Sequence, residues 1–315
     1  MRIGILEPDG FSPLARRRLG ALGPVEDYAA DCDRAVFLAD KEALFVRLAH
    51  HIDSGFLAQA PRLRFLCSPT TGQTHLDVTA LKRCGVVLLS LRNAGDFMER
   101  IRATPEHTLG LTIALLRNYR TAFLSEQNDH WDRDRCRGEE LAGTRFGLIG
   151  FGRVGRRFAS YLHALGAEIG CYDPNIAGAP SHVRRYGDAA GLIAASRAIV
   201  LLASYAPGSA PILDARLIGG LDGKYFINVA RGELVDEDAL LTAIENGRLA
   251  GCAVDVISNE TRRNNHARWI AAARLPNVIV TPHIGGASFS SMRMTEEFIA
   301  EQLLEAVAAG RAAGV

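Results

Sequence analysis

Three polar side chains follow three apolar runs in the second half of the sequence. Arg231 comes after "YFINVA", Glu260 after "GCAVDVISN" and His283 after "NVIVTP". An arginine fork can grip a carboxylate through two parallel hydrogen bonds and polarise a neighbouring carbonyl. A histidine takes and returns a proton near neutrality. A glutamate beside it would hold the ring's orientation and stabilise its protonated form. Together the three suit acid–base chemistry on a small substrate that bears a carboxylate. Singly, each has an ordinary structural reading: a surface loop arginine, a solvated acid, a hydrogen-bonded histidine. Their common position at strand ends is what points to one crevice.

What must position them is a parallel sheet. Strand-like runs occupy residues 145–150, 168–173, 198–203, 225–230, 251–256 and 277–282, with helical patterns between. An earlier series, "RIGIL" (2–6), "ALFVRL" (43–48), "LRFLCS" (63–68) and "VVLLSL" (86–91), has the same rhythm. Such alternation predicts α/β architecture, with parallel sheets covered on both faces. Ser12 with Pro13, Asp53 and Asp77 stand where helix N-caps belong. The stretch 103–123 reads as one long helix, too long for another crossover, and separates the two series. A final helix is expected over 288–310, with a serine start and a glycine stop.

The sequence has 315 residues, long for a single core, so two domains are expected. With 36 basic and 35 acidic side chains, it has no field for holding nucleic acid or anionic lipid. No apolar run approaches the roughly 20 residues needed to cross a bilayer. The first residues run straight into a strand pattern without a signal-like segment. Six scattered cysteines lack any C-x-x-C pair, and four lie in apolar strand-like runs. They are expected to be reduced core residues of a cytoplasmic protein, and no spacing suggests a metal site.

The most specific local signal is "RFGLIGFGRVGRRFASYLHALGAEIGCYD". Gly150, Gly152 and Gly155 follow an apolar strand and open a helix whose Val154, Phe158, Leu162 and Leu165 share a face. The first glycine permits a tight turn, the second lets backbone approach a pyrophosphate, and the third brings helix and strand together. Asp173 ends the next strand 18 residues after Gly155, placed to accept from a ribose 2′-hydroxyl. An acid there repels a 2′-phosphate, so NAD is expected over NADP, although Arg184 and Arg185 further on would suit that phosphate. Arg153 could bond the pyrophosphate or be a solvated loop arginine. Joined to the strand-end trio, this loop predicts hydride transfer between nicotinamide and C2 of a 2-hydroxy acid. In that reaction His283 removes the hydroxyl proton.

These segments resemble the D-isomer-specific 2-hydroxyacid dehydrogenase family over nearly the whole sequence. "ELAGTRFGLIGFGRVGRRFA" is similar to its cofactor signature, "FINVARGELVDEDAL" to its arginine signature, "AGCAVDVISNE" to its glutamate signature and "LPNVIVTPHIGGAS" to its histidine signature. The resemblance implies two Rossmann-like, flavodoxin-like parallel-sheet domains, the NAD-binding one (103–287) inserted into a substrate domain (1–102 with 288–315). It implies Arg231 as substrate clamp, Glu260 as partner of the histidine and His283 as acid/base. Asp255 would contact the nicotinamide carboxamide. Gly150, Gly152, Arg153, Val154, Gly155, Asp173, Ala230 and Gly285 would complete the cofactor contacts. In "TTGQTHLD", N–H groups near Thr71 and Gly72 would bind the carboxylate. The family pattern also implies a homodimer formed with help from the long helix, and a cleft between domains that closes on substrate.

The sequence departs from the family pattern in three places. Thr261 replaces the usual proline after the glutamate, and "TRRNNHARWIAAAR" lengthens the approach to the last strand. The loop "SLRNAGDFMERIRATPEHT" is long, and "PTTGQTHLD" has threonine where many members carry aspartate. These changes bear on the substrate rather than the chemistry. Arg47, with His50 and His51 just behind it, could hold a distal phosphate, phosphonate or carboxylate; a solvated cluster is the ordinary reading. A phosphorus-containing substrate is therefore the second reading. A third is an NAD(H)-sensing binding protein that keeps the pocket without physiological turnover.

Overall fold

Short β-branched and apolar runs become buried parallel strands in the computed structural model, which describes residues 1–127, 131–206, 208–260 and 265–310. In the first part these are β1 (Ile3–Ile5), α1 (Pro13–Leu19), β2 (Val25–Asp27), α2 (Arg34–Leu38), β3 (Ala43–Phe45), α3 (Ser54–Ala58), β4 (Phe65–Ser68), α4 (Val78–Arg83) and β5 (Val87–Ser90). The strands stand in the order β2-β1-β3-β4-β5, all parallel, the flavodoxin-like arrangement. Alternate residues serve opposite faces. Ile3, Ile5, Phe45, Phe65 and Cys67 pack with α1, whereas Leu44 and Leu66 pack with Phe56 and Leu57 of α3 and Leu81 of α4. Ser12 Oγ accepts from Ala15 N, and Asp53 and Asp77 accept from Phe56 N and Ala80 N. Each cap satisfies a backbone donor that the helix itself leaves open.

The second series comprises α5 (Ala103–Leu116), α6 (Tyr119–Gln127), β6 (Arg145–Ile149), α7 (Arg153–Ala164), β7 (Glu168–Tyr172), β8 (Val183–Arg185), α8 (Ala189–Ala195), β9 (Ala198–Leu201), α9 (Ala215–Gly219), β10 (Tyr225–Asn228), α10 (Glu237–Glu245), β11 (Gly251–Val254), α11 (His266–Ala272) and β12 (Val278–Val280). Its parallel sheet runs β12-β11-β10-β9-β6-β7-β8. The order reverses between β6 and β9, the switch point where dinucleotides bind in doubly wound folds. Phe146, Leu148, Val200, Ile227 and Ala253 pack towards α5 and α7; Ile149, Ile199, Leu201, Phe226 and Val254 pack towards the other helices. The closing helix α12 (Phe289–Ala308), capped by Ser288, returns to the first sheet. The two compact units are Met1–Ile101 with Ala287–Val315, and Arg102–Gly286. Among the described residues no helix is long and apolar enough to cross a membrane.

Three expectations need correction. The helix over 103–123 is two helices, because Asn118 adopts φ 52° and ends the first. The strands β2 and β8 were not legible in the sequence: both are short and carry charged residues, as edge strands do. Of the cysteines, Cys67, Cys171 and Cys252 are buried in strands, but Cys84 caps α4 and is exposed, as is Cys32; all six are free. The left-handed backbone at Asn118 yields a prediction. Asn118→Gly should leave stability near wild type, whereas Asn118→Ala should lose about 1 kcal/mol, read by urea unfolding. Equal stability of the two variants would remove the backbone explanation.

Candidate active site

The turn after β12 carries His283 and is organised from below by Asp255, which follows β11. Asp255 is 2% exposed. Its Oδ1 accepts from Thr281 Oγ1 (2.6 Å) and Ile284 N (2.9 Å), and its Oδ2 from Gly285 N (2.8 Å). His107 of α5 adds Nε2 at 3.2 Å from Oδ1. Burial pushes this carboxyl up, but the bonds from His107, Thr281 and the two backbone N–H groups outweigh it and hold the group below the ordinary aspartate range. The His283 N–H donates to Asp255 O (2.8 Å), and the residue sits in the left-handed region at φ 53°. Its Nδ1 lies 2.7 Å from Glu260 Oε2.

Glu260 follows a stretch after β11 that is itself braced. Glu237, at the start of α10, accepts from Ser258 N (2.7 Å), Trp269 Nε1 (2.9 Å) and Asn265 Nδ2 (2.8 Å). Glu233 accepts from Asn259 N (3.2 Å), whose φ is 52°. Thr261 and residues 262–264, where the sequence departs from the family pattern, lie outside the described residues.

Arg231 leaves β10 through a turn tied by Asn228, whose Oδ1 accepts from Ala230 N and whose Nδ2 donates to Arg231 O. A Cβ on the next residue, Gly232, would lie 2.0 Å from Ile257 C, so only glycine lets this turn pass the end of β11. The Arg231 guanidinium donates to Ala230 O (2.6 Å). Burial lowers its pKa, while the carboxylates of Glu260, Glu233 and Asp255 act in the opposite sense. Those four charges share one electrostatic neighbourhood.

The glycine loop fits a bound pyrophosphate. A Cβ at Gly150 (φ 95°) would lie 2.4 Å from Ala203 N, and one at Gly155 would lie 2.5 Å from Gly150 O. At Gly152 a Cβ would meet nothing within 4 Å, and no side chain caps α7 there. Close packing on two sides and open backbone on the third is what a dinucleotide cradle needs. Arg153 and Val154 open α7 itself. Asp173 braces the loop by accepting from Phe151 N (2.8 Å) and Asn175 N (2.9 Å). Each of its oxygens keeps acceptor capacity for a hydroxyl. It lines a hollow of about 290 Å³ with Tyr172, Pro174, Arg185, Tyr186 and Gly187. Arg184 lies over the Tyr186 ring, and Arg185 donates to Ala177 O.

In the first unit, Thr71 and Gly72 lie in the loop after β4, and their N–H groups donate to no acceptor found among the described residues. Arg47 does not match the expectation of an anion clamp. Its Nε and Nη2 both donate to Glu296 Oε1 (3.1 and 2.5 Å), and its Nη1 to Asp9 O (3.1 Å). Glu296 is fully buried and would be left uncompensated without this fork. Among the described residues no cluster of three potential metal ligands occurs.

A switch-point sheet with a glycine cradle and an acid after its second strand defines a dinucleotide-binding α/β protein. The comparison with known families narrows this. Residues 109–285 match "D-isomer specific 2-hydroxyacid dehydrogenase, NAD binding domain", and the chain belongs to that family. It is 30% identical over 319 residues to the D-3-phosphoglycerate dehydrogenase of Rattus norvegicus, covering 99% of this chain but 58% of that protein. It is 29% identical to that of Mycobacterium leprae, covering 94% and 56%. The chain thus spans little more than half the length of these relatives. In fold it is similar to a D-lactate dehydrogenase from Aquifex aeolicus complexed with NAD and lactic acid, with a TM-score of 0.82 at 23% identity, covering 98% and 96% of the two chains.

Sequence reasoning named the trio but missed its supports: His107, Asn228, Glu233 and Glu237. The Asp255 network carries a pH signature. A carboxyl held low in the folded state stabilises the fold above its unfolded pKa and loses that contribution as pH falls through the folded value. The thermal stability advantage of wild type over Asp255→Asn should therefore be largest near neutrality and shrink below the ordinary aspartate range. A difference in Tm that stays constant across this window would contradict the assignment.

Proposed function

We propose that the protein transfers a hydride between NAD and C2 of a small D-2-hydroxy acid or its 2-oxo counterpart, with His283 as acid/base. The observation that carries this reading is the 2.7 Å contact of His283 Nδ1 with Glu260 Oε2 in an NAD-binding domain of this family. Bound NAD supplies the hydride acceptor. With Nδ1–H donating to Glu260, the Nε2 lone pair takes the hydroxyl proton as the C2–H bond breaks and C2=O forms. Arg231 holds the carboxylate and polarises the oxygen that becomes the carbonyl. Asp255 and Gly285 fix the turn from which the ring projects, and Ala230 N–H fixes the turn of the arginine. The N–H groups of Thr71 and Gly72, which donate to no acceptor among the described residues, suit the carboxylate of the substrate.

The relatives named as D-3-phosphoglycerate dehydrogenases favour a second version of this reading, in which the acid carries a phosphate. We also infer a homodimer. Around α6, Tyr119, Phe123 and Trp131 are 37%, 63% and 90% exposed, an apolar surface that a second copy would cover. Six free thiols support a reducing, cytoplasmic location.

His283→Ala should lower kcat by about 100-fold to 10,000-fold while NADH binding, followed by fluorescence, persists. Arg231→Ala should mainly raise KM and also slow turnover. A His283 variant with wild-type turnover across pH would end the acid/base assignment. Replacing Asp173 by alanine should narrow the preference for NADH over NADPH, measured as the ratio of kcat/KM; an unchanged ratio would assign the ribose to another residue.

A further inference from the structure

Arg47 is paired with the buried Glu296, so a cation without such a partner is the better candidate to meet a second charge on a substrate. At the carboxyl end of the first sheet, β4 and β5 finish side by side, Ser68 paired with Ser90. The loop that follows β4 is tied to the end of β5 at two points. Leu91 N donates to Thr70 O (3.2 Å), and Gln73 Nε2 donates to Ser90 Oγ (3.2 Å). Thr70 Oγ1 donates to Gly72 O (3.0 Å), which holds the loop's bend. The N–H groups of Thr71, Gly72 and Gln73 follow one another in this loop, and none donates to an acceptor found among the described residues. Gly72 and Gln73 are partly buried, and consecutive N–H groups without a protein acceptor suit an anionic one.

Beside them stands Arg92, in the turn Leu91–Asn93. Its Nη1 donates to Gln73 Oε1 at 2.9 Å. That partner is neutral, and no ion pair to Arg92 occurs among the described residues, in contrast to Arg47 and its buried carboxylate. A guanidinium has five N–H donors, so the bond to Gln73 fixes the fork and leaves most of it available. The same glutamine thus joins the loop that suits a carboxylate to a cation with unspent charge.

We propose that Arg92 is a specificity-determining residue that reads a second anionic group, a distal carboxylate or a phosphorus oxyanion, on a substrate whose first carboxylate rests on the N–H groups of Thr71 and Gly72. The inference rests on the 2-hydroxyacid dehydrogenase reading above and adds the substrate class: short dianionic 2-oxo and 2-hydroxy acids. Neutral Gln73 sets the spacing between the two anion subsites. Arg92 is exposed, so water and salt weaken its grip. It discriminates by charge rather than by enclosing the group.

The test compares kcat/KM with NADH for pyruvate, oxaloacetate and phosphonopyruvate, in wild type, Arg92→Gln and Arg92→Lys. The ratio of each dianion to pyruvate cancels any general loss of folded enzyme. In Arg92→Gln the ratio for at least one dianion should fall on the order of tenfold, with partial recovery in Arg92→Lys. The dianion whose ratio falls further identifies the distal group as carboxylate or phosphonate. Ratios that match wild type in Arg92→Gln would overturn the proposal. If wild type binds NADH but reduces none of the three, nor a phosphorylated 2-oxo acid such as 3-phosphohydroxypyruvate, the hydride-transfer reading fails instead. Arg92 is then judged by binding: malonate or phosphonoacetate, but not acetate, should raise the Tm of wild type and not of Arg92→Gln. Equal shifts in the two proteins would overturn it by that route.

Discussion

Asp255 sits beneath the turn after β12 and accepts from Thr281 Oγ1, Ile284 N and Gly285 N, with His107 Nε2 alongside. A carboxylate buried this deeply is tolerated only when its lone pairs are filled. Its donors are supplied by the very turn that presents His283. The cost of the left-handed backbone at His283, about 1–2 kcal/mol for a side chain with a Cβ, is offset where the neighbouring N–H groups reach Asp255. The histidine is therefore aimed by backbone geometry, and Glu260 needs only to fix the ring's rotation. Removing the carboxylate would release the turn and leave buried donors unsatisfied, so the aim of the imidazole and the stability of the sheet's end depend on the same atoms.

The supports of Arg231 and Glu260 follow the same logic. Asn228 imitates a backbone turn with its amide, and Gly232 lets the chain slip past Ile257 where any Cβ would collide. Glu237 gathers Ser258, Asn265 and Trp269, so the backbone just before Glu260 is pinned while the Glu260 side chain stays partly exposed. Each of these three side chains stands within three residues of a hydrogen-bonded anchor: Asn228 for Arg231, Ser258 for Glu260 and Thr281 for His283. Such bracing fixes side-chain position without burying the side chains entirely.

The strands and caps were legible because their signals are local. Alternating apolar runs become strands wherever both faces are covered, and Ser12, Asp53 and Asp77 cap by reaching only three residues ahead. The positions of Arg231, Glu260 and His283 were legible because each follows such a strand. What the sequence hid is non-local. His107 meets Asp255 across 148 positions of sequence, and its place inside an ordinary helical pattern gave no sign of it. Arg47 looked like a strand-end clamp because its partner Glu296 is 249 positions away. The break at Asn118 was missed because an asparagine in a left-handed turn leaves little trace in a helical pattern otherwise continuous on both sides. Edge strands β2 and β8 pair on one side only, so they need no apolar run.

These contrasts divide the labour between kinds of structure. The groups assigned to bond-breaking follow β10 and β11, buried inside the second sheet, and the edge strand β12, where a substitution disturbs several hydrogen bonds at once. Arg92 stands instead on a short exposed turn after β5, bonded through one neutral side chain. Changing such a residue leaves the sheet beneath it intact, since loops carry few of the contacts that hold a domain together. A fold built this way can keep one reaction while exchanging the acids it accepts. The long segment between β5 and α5 lies where that exchange is cheapest. Arg47 neutralises a buried glutamate that the fold must keep paired, whereas Arg92, exposed and bonded to one neutral amide, carries no such burden.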